Sequence, residues 1–253
     1  MSGIYNRNRI YISSEQQQRI KNFRVILAGS GLGSVIAECA LRLGFESICV
    51  VDGDRVEPTN LNRQNYTCTD SGRPKAEAIR ERLLAINPGA EIECRNIFLN
   101  KANVRSEVQG FDLAVNAIDF DSMAPFLFDR ACTEQGMTVL HPYNLGWAGC
   151  LFAVSPKSPQ LSLIQEGHTG FEKAFVKYLL ARLQKSGYNS GWLNETLEQY
   201  SNEHEKMPPP QLSVASWLTA GMCVNIMFCA AVGKPYRLFP GFYFLTVMDD
   251  CQL

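Results

Sequence analysis

Apolar residues between Arg24 and Ala28 form a short run that ends at Gly29-Ser30-Gly31-Leu32-Gly33. Beyond the glycines, Val35, Ile36, Cys39, Ala40 and Leu43 recur at the spacing of one helix face, and Gly44 stands where such a helix would end. Ile48-Cys49-Val50-Val51 is a second continuous apolar run, closed by Asp52. Strand, glycine turn, helix and strand together predict a βαβ unit.

The alternation continues downstream. An amphipathic pattern over Arg73–Ile86 predicts a helix stopped by Asn87-Pro88, and Ala90–Cys94 a strand. Phe111–Ala117 reads as a buried strand running into Asp119. Met123–Gln135 reads as a helix ended by Gly136, and Met137–Leu140 as the next strand. The expected fold is α/β: a Rossmann-like, mostly parallel sheet with helices on both faces. Ala148–Val154 is expected to add an antiparallel strand. Ser155–Gln211 contains Pro156 and Pro159, a helical Phe171–Gln184, then Gly187, Gly191 and a polar run to Pro208-Pro209-Pro210. It reads as a long, partly helical crossover excursion from the sheet. The chain then returns with an apolar helix over Val214–Val232 and two short strands near Tyr236–Phe239 and Phe242–Met248, a C-terminal antiparallel portion. We expect one domain over residues 1–253: a nucleotide-binding half (1–154), the excursion (155–211), and a C-terminal helix with strands (212–253).

Charge and composition narrow the function classes. The formal net charge of −1 gives no global basic field, so nucleic acid is not the expected partner and any anion site must be built locally. Ser2–Lys21 is polar and carries no signal-peptide pattern. Val214–Val232 is about the length of a membrane span, but its Ser216, Thr219 and Asn225 favour a buried helix over a membrane segment. Nine cysteines, an odd number without a C-x-x-C pair, fit a reduced, cytoplasmic setting.

The candidate chemistry sits at the ends of the early strands. Glycines let a backbone approach phosphate, and the helix that follows offers unpaired N–H groups. Asp52, 19 residues after Gly33, ends the second strand, where a carboxylate can bond ribose hydroxyls. This much is shared by NAD, FAD and ATP binders. A polar segment follows, Gly53-Asp54-Arg55-Val56-Glu57-Pro58-Thr59-Asn60-Leu61-Asn62-Arg63-Gln64, for which an ordinary dehydrogenase has no need. Lys75 then opens a helix, where a cation opposes the helix dipole unless an anion is also present. Arg63 and Lys75 together suggest a polyphosphate clamp. Asp119, just past a buried strand, can reach a Mg²⁺ held by phosphates.

The series D-x-D-x-V-x-x-x-N-L-N-R-Q, then G-x-x-K-A, then a strand ending in Asp resembles the ThiF/MoeB/HesA family, which includes the adenylation domains of ubiquitin-activating enzymes. Tyr5-Asn6-Arg7 and Gln17-Gln18-Arg19-Ile20-Lys21-Asn22 extend the resemblance ahead of the first strand. By position, the resemblance implies a cofactor-binding set of Gly29, Gly31, Gly33, Asp52, Asp54, Asn60, Arg63, Gln64 and Lys75. Gly31 and Gly33 would lie under the ATP phosphates and Asp52 would hold the ribose. Asn60, Arg63, Gln64 and Lys75 would surround the triphosphate. The implied catalytic set is Arg7, Arg63, Lys75 and Asp119, with Asp119 on Mg²⁺ and Arg7 acting in trans within a homodimer. The implied reaction is ATP-dependent adenylation of a carboxylate with release of pyrophosphate. Its implied substrate is the C-terminus of a small ubiquitin-like or sulfur-carrier protein. Alternatives are a peptide or tRNA-borne carboxylate, or a catalytically weak scaffold subunit of a heterodimeric activating enzyme; a nicotinamide oxidoreductase ranks below these.

The sequence also departs from that family. The pattern G-x-G-G-x-G falls on Ala28-Gly29-Ser30-Gly31-Leu32-Gly33, so Ala28 and Ser30 replace two glycines. Paired C-x-x-C motifs are missing, so no structural zinc is expected. No cysteine lies in the excursion, which argues against a thioester step there; Cys150 and Cys223 read as core residues. His141, His168 and His204 read as structural or surface residues, because an ionised carboxylate needs no general base.

Overall fold

The computed structural model describes residues 3–248 apart from 166, 189 and 204–206. Strands β1 (Arg24–Ala28), β2 (Ser47–Val51), β3 (Glu91–Arg95), β4 (Leu113–Asn116), β5 (Thr138–Asn144), β6 (Ala148–Val154) and β7 (Tyr243–Thr246) form one sheet in the order β3-β2-β1-β4-β5-β6-β7. The first five pair in parallel; β6 and β7 pair antiparallel, as the sequence predicts for β6. The winding of the chain reverses between the neighbouring strands β1 and β4. That is where open α/β sheets leave a crevice at their carboxyl ends.

The apolar runs are continuous because both sheet faces are covered. Along β1, Val25 and Leu27 pack into one core with helices α1 (Ser14–Asn22), α2 (Leu32–Leu43), α3 (Lys75–Ile86) and α8 (Ser213–Val232). Ile26 and Ala28 point the other way, toward α4 (Val104–Glu107) and α5 (Ala124–Glu134). A third, aromatic-rich core joins β6 to α6 (Phe171–Lys185) and α7 (Gly191–Ser201). α8 is long and apolar enough to cross a membrane by length and composition. Here it packs against α2, β5 and β6, burying Ala220, Cys223, Val224 and Met227.

One element is new and two local expectations change. α1 forms within the polar N-terminal segment; Ser13 and Gln16 close a capping box at its start, and its buried residues are Gln17 and Ile20. α7 replaces the expected polar run, anchored by the buried Leu193. Tyr236–Phe239 does not form a strand. Phe239 N–H donates one bond to Ala153 O (2.8 Å), but Pro235 and Pro240 on either side have no N–H to extend a ladder. His204 and Cys251 lie outside the described residues.

Candidate nucleotide site

The glycine turn leaves β1 at Gly29, whose φ is +89°. A Cβ at this position would lie 2.3 Å from the Ala117 carbonyl oxygen, so the close approach of the turn to the end of β4 demands glycine. Gly31 caps α2, and a Cβ there would meet the Gln64 side-chain nitrogen at 3.1 Å. Gly33 is buried, and its missing side chain would face only Leu27, at 4.0 Å.

Asp52 emerges at the end of β2 beneath this turn. Its two carboxylate oxygens accept from Ser30 N–H (2.5 Å) and Asp54 N–H (2.7 Å). Burial raises its carboxyl above the usual range, opposed by the Lys75 charge and the two backbone bonds. A carboxylate has about four acceptor sites, so it keeps capacity for hydroxyl donors.

A short antiparallel contact sets the next part of the site. Val56 N–H donates to Arg73 O (2.9 Å), Gly72 N–H to Val56 O (2.8 Å) and Lys75 N–H to Asp54 O (2.9 Å). These bonds fold the polar segment against the start of α3. They bring the largely buried Lys75 ammonium within 3.1 Å of the Asp54 carboxylate.

Asp119 follows β4. It retains solvent-exposed surface, yet the crowded cleft around it desolvates the carboxyl and raises it. Lys75 and Arg63 pull it back down, while Asp121 and Asp54 push it further up. The loop behind it is held by Asn116, whose side-chain amide donates to Pro125 O (2.9 Å) and the Asp129 carboxylate (2.7 Å). Phe120 stacks on Phe171 of α6 at 4.2 Å between ring centres, joining the loop to the excursion.

The Arg63 guanidinium is partly buried and held in place by Thr59 O (2.9 Å), Asn62 Oδ1 (2.9 Å) and Gln211 Oε1 (2.6 Å). Asn60 shapes the same loop: its Oδ1 accepts from Glu57 N–H (3.0 Å) and its carbonyl from Gln64 N–H (3.0 Å). Gln64 rests on Gly31 with its Oε1 buried and unpartnered.

The structure thus gathers Asp52, Asp54, Arg63, Gln64, Lys75 and Asp119 about the glycine turn. It does not bring Arg7 there. Arg7 is exposed, and neighbouring Asn8 bonds Leu43 O (2.9 Å) at the far end of α2. The length of that helix, about 18 Å for its 12 residues, separates Arg7 from the turn. Sequence reasoning missed Tyr66, which bonds the turn, and Gln211, which orients Arg63. It also missed Phe98, whose ring crowds Gly53 beside Asp52. Tyr66 stands two residues past Gln64 in the motif already noted, whereas nothing in sequence links Gln211 to Arg63. Cys150 and Cys223 are fully buried core thiols, pushed well above their usual range by burial. Among the described residues, no group of three or more His, Cys, Asp or Glu side chains could hold a metal ion. A recess of about 600 Å³ between α6 and β7, bordered by Arg182 and Arg237, includes none of the site residues.

Fold and site together define an open α/β protein with a glycine turn, two basic side chains and opposed carboxylates at its strand ends. The chain belongs to the ThiF family, whose model matches residues 5–211. It is 31% identical over 150 residues to the SAMP-activating enzyme E1 of Haloferax volcanii, covering 58% of this chain and 55% of that protein. It is 27% identical over 190 residues to the tRNA threonylcarbamoyladenosine dehydratase of Bacillus subtilis, covering 74% and 71% respectively. The chain therefore spans about half the length of the first relative. In fold it resembles a crystal structure of E. coli MccB with AMPCPP and MccA, with a TM-score of 0.69 at 16% identity over 97% of this chain and 71% of that one.

Proposed function

We propose that this protein uses ATP to adenylate a carboxylate, releasing pyrophosphate, and that the carboxylate is the C-terminus of a small ubiquitin-like or sulfur-carrier protein. One observation carries the reading: Lys75 acts at once on Asp52, Asp54 and Asp119 beside a glycine turn and a helix N-terminus. A cation so placed among carboxylates fits a ligand that brings both hydroxyls and negative charge, as a nucleotide does. The family match and the SAMP-activating enzyme among its relatives support it.

In this reading Asp52 accepts the ribose hydroxyls with its free acceptor sites. The Gly31 end of α2 presents N–H groups to phosphate, and Gln64 packs against that end. Mg²⁺ enters as part of the substrate, and the site suits it: Asp119, in the loop after β4, offers a hard carboxylate to a cation that keeps most of its ligands from phosphate and water. The ion would neutralise phosphate charge. Lys75 exchanges Asp54 for the triphosphate, and Arg63 adds a second fixed charge. The acceptor carboxylate attacks the α-phosphorus; the bond to the bridging oxygen breaks and pyrophosphate carries the electrons away. Charge grows on that leaving group, and fixed cations lower the barrier most where water is scarce. The nucleophile is already ionised at neutral pH, so no general base is required.

The same reading makes the enzyme a cytoplasmic homodimer in which Arg7 of one subunit completes the site of the other. The distance of Arg7 from its own turn supports this. The test is carboxylate-dependent exchange of labelled pyrophosphate into ATP. Exchange stimulated by a carrier protein with a Gly-Gly tail supports the proposal. Stimulation by a short peptide or by modified tRNA alone would reassign the acceptor. No exchange with any of them would favour a scaffold subunit.

A further inference from the structure

The family-like glycine pattern is broken at Ser30, and the structure supplies a bond in place of the missing glycine. Ser30 is fully buried, and its Oγ lies 2.6 Å from the Tyr66 hydroxyl. That hydroxyl also donates to Ser30 O (2.8 Å) and lies 3.4 Å from Lys75 O. A phenol has one proton, so the set is satisfied when Ser30 Oγ donates to the phenol and the phenolic proton is shared between Ser30 O, at the shorter distance, and Lys75 O. Ser30 N–H is spent on Asp52. Every polar group of Ser30 that could face the cleft is therefore fixed, and the same phenol touches the turn and the first residue of α3.

The segment that carries Tyr66 is itself anchored. Asn65 N–H donates to Ser34 Oγ (2.9 Å), and Ser34 Oγ donates to Gly31 O (2.7 Å). The Asn65 side-chain amide donates to Glu38 (2.8 Å), a buried carboxylate on the next turn of α2 that also accepts from Arg42 (2.8 Å) and Arg82 (2.5 Å). Ser34 and Glu38, four residues apart on one helix face, thus hold Asn65 by backbone and side chain. Tyr66 is aimed from a base locked to the helix that the glycine turn opens.

We propose that Tyr66 is a positioning residue: its hydroxyl holds the turn at Ser30 and the Lys75 end of α3 at a fixed separation, pre-forming the cradle for the ATP phosphates. This rests on the reading of the cleft as an ATP site. Tyr66 itself need not touch the nucleotide; it is 93% buried and acts through Ser30 and Lys75. Ser30 exchanges the freedom of a glycine for a cross-link, which lowers the ordering needed on binding.

The experiment is calorimetric titration of MgATP, without any acceptor, into wild type, Tyr66→Phe, Ser30→Ala and the double variant, at a temperature where circular dichroism finds each folded. Tyr66→Phe keeps the ring and removes the bonds; we expect ATP affinity to fall roughly three- to tenfold, the range for a lost neutral hydrogen bond. Ser30→Ala should weaken binding less, because the phenol keeps the Ser30 carbonyl, and the double variant should bind like Tyr66→Phe. A purely structural tyrosine would lower the melting temperature and leave the affinity of the folded protein unchanged; that result, or fully additive losses, overturns the inference alone. Failure of the wild type to bind MgATP overturns the ATP reading and this inference with it. Should Tyr66→Phe not fold, Ser30→Ala decides: unchanged affinity refutes the proposal, and weakened affinity supports it.

Discussion

At the scale of single residues, the three glycines of the turn look alike in sequence and differ in the structure. Gly29 has a left-handed φ and no room against Ala117 O, so a side chain there meets both backbone strain and a backbone clash. Gly29→Ala should destabilise the fold by more than about 1 kcal/mol in urea denaturation. Gly33 lies inside α2 with room for a methyl group, and Gly33→Ala should be neutral or stabilising by up to about 1 kcal/mol. Equal costs at the two positions would contradict this account of the turn. The sequence marked where the backbone must bend but not which glycine bears the strain, because strain depends on what β4 places against the turn. Asp52, Lys75 and Asp119 were legible as site residues because each stands at the end of a recognisable strand or the start of a helix. Tyr66 was not, since a tyrosine after a polar motif reads as packing until its hydroxyl is seen on Ser30. The contact of Arg63 with Gln211 spans 148 positions and leaves no local trace.

At the scale of elements, β1, β2, β4 and β6 were readable because burial on both faces makes their sequences continuously apolar. α1 and α7 escaped because one or two buried residues do not make a period. Beneath the Asp119 loop, β5 and α5 enclose an ionisable pair: His141 Nε2 lies 3.4 Å from Asp129 Oδ1. Burial pushes Asp129 up to about 7, against the pull of its Asn116 bond, and pushes His141 down to about 3. The folded pair therefore holds one proton from about pH 3 to 7. The unfolded pair also holds one between roughly pH 4 and 6.5, with the proton on histidine. The pair should thus contribute no pH dependence to stability in that window. Asp129→Asn exposes the histidine alone. Its depressed value means the unfolded chain takes up a proton below about pH 6.5 that the folded chain refuses until about 3. The variant should then lose stability, relative to wild type, by roughly 1.4 kcal/mol per pH unit as pH falls through that range. Urea titrations at pH 5 and 7 measure this; parallel behaviour of variant and wild type would argue against a neutral buried His141.

At the scale of the whole molecule, the sheet gathers residues from Ser30 to Gln211 at one end, and only Arg7 of the expected catalytic set stays apart. In the homodimer proposal, Arg7→Ala and Lys75→Ala subunits are each inactive, yet a mixture of the two regains part of the wild-type exchange, because one hybrid site carries both intact residues. Mixtures no more active than their parts would remove Arg7 from the mechanism in trans. A buried cysteine gives a further check: Cys150→Ala should leave pyrophosphate exchange within about twofold, since a core thiol held protonated by burial is a poor nucleophile. The central claim concerns Lys75, the cation shared by Asp52, Asp54 and Asp119. Its most direct test is carboxylate-dependent ATP–pyrophosphate exchange by Lys75→Ala against wild type, with both confirmed as folded. Loss of the group that stabilises the charge developing on the leaving phosphates predicts a fall of ~10²–10³-fold in rate; exchange at the wild-type rate would contradict the account.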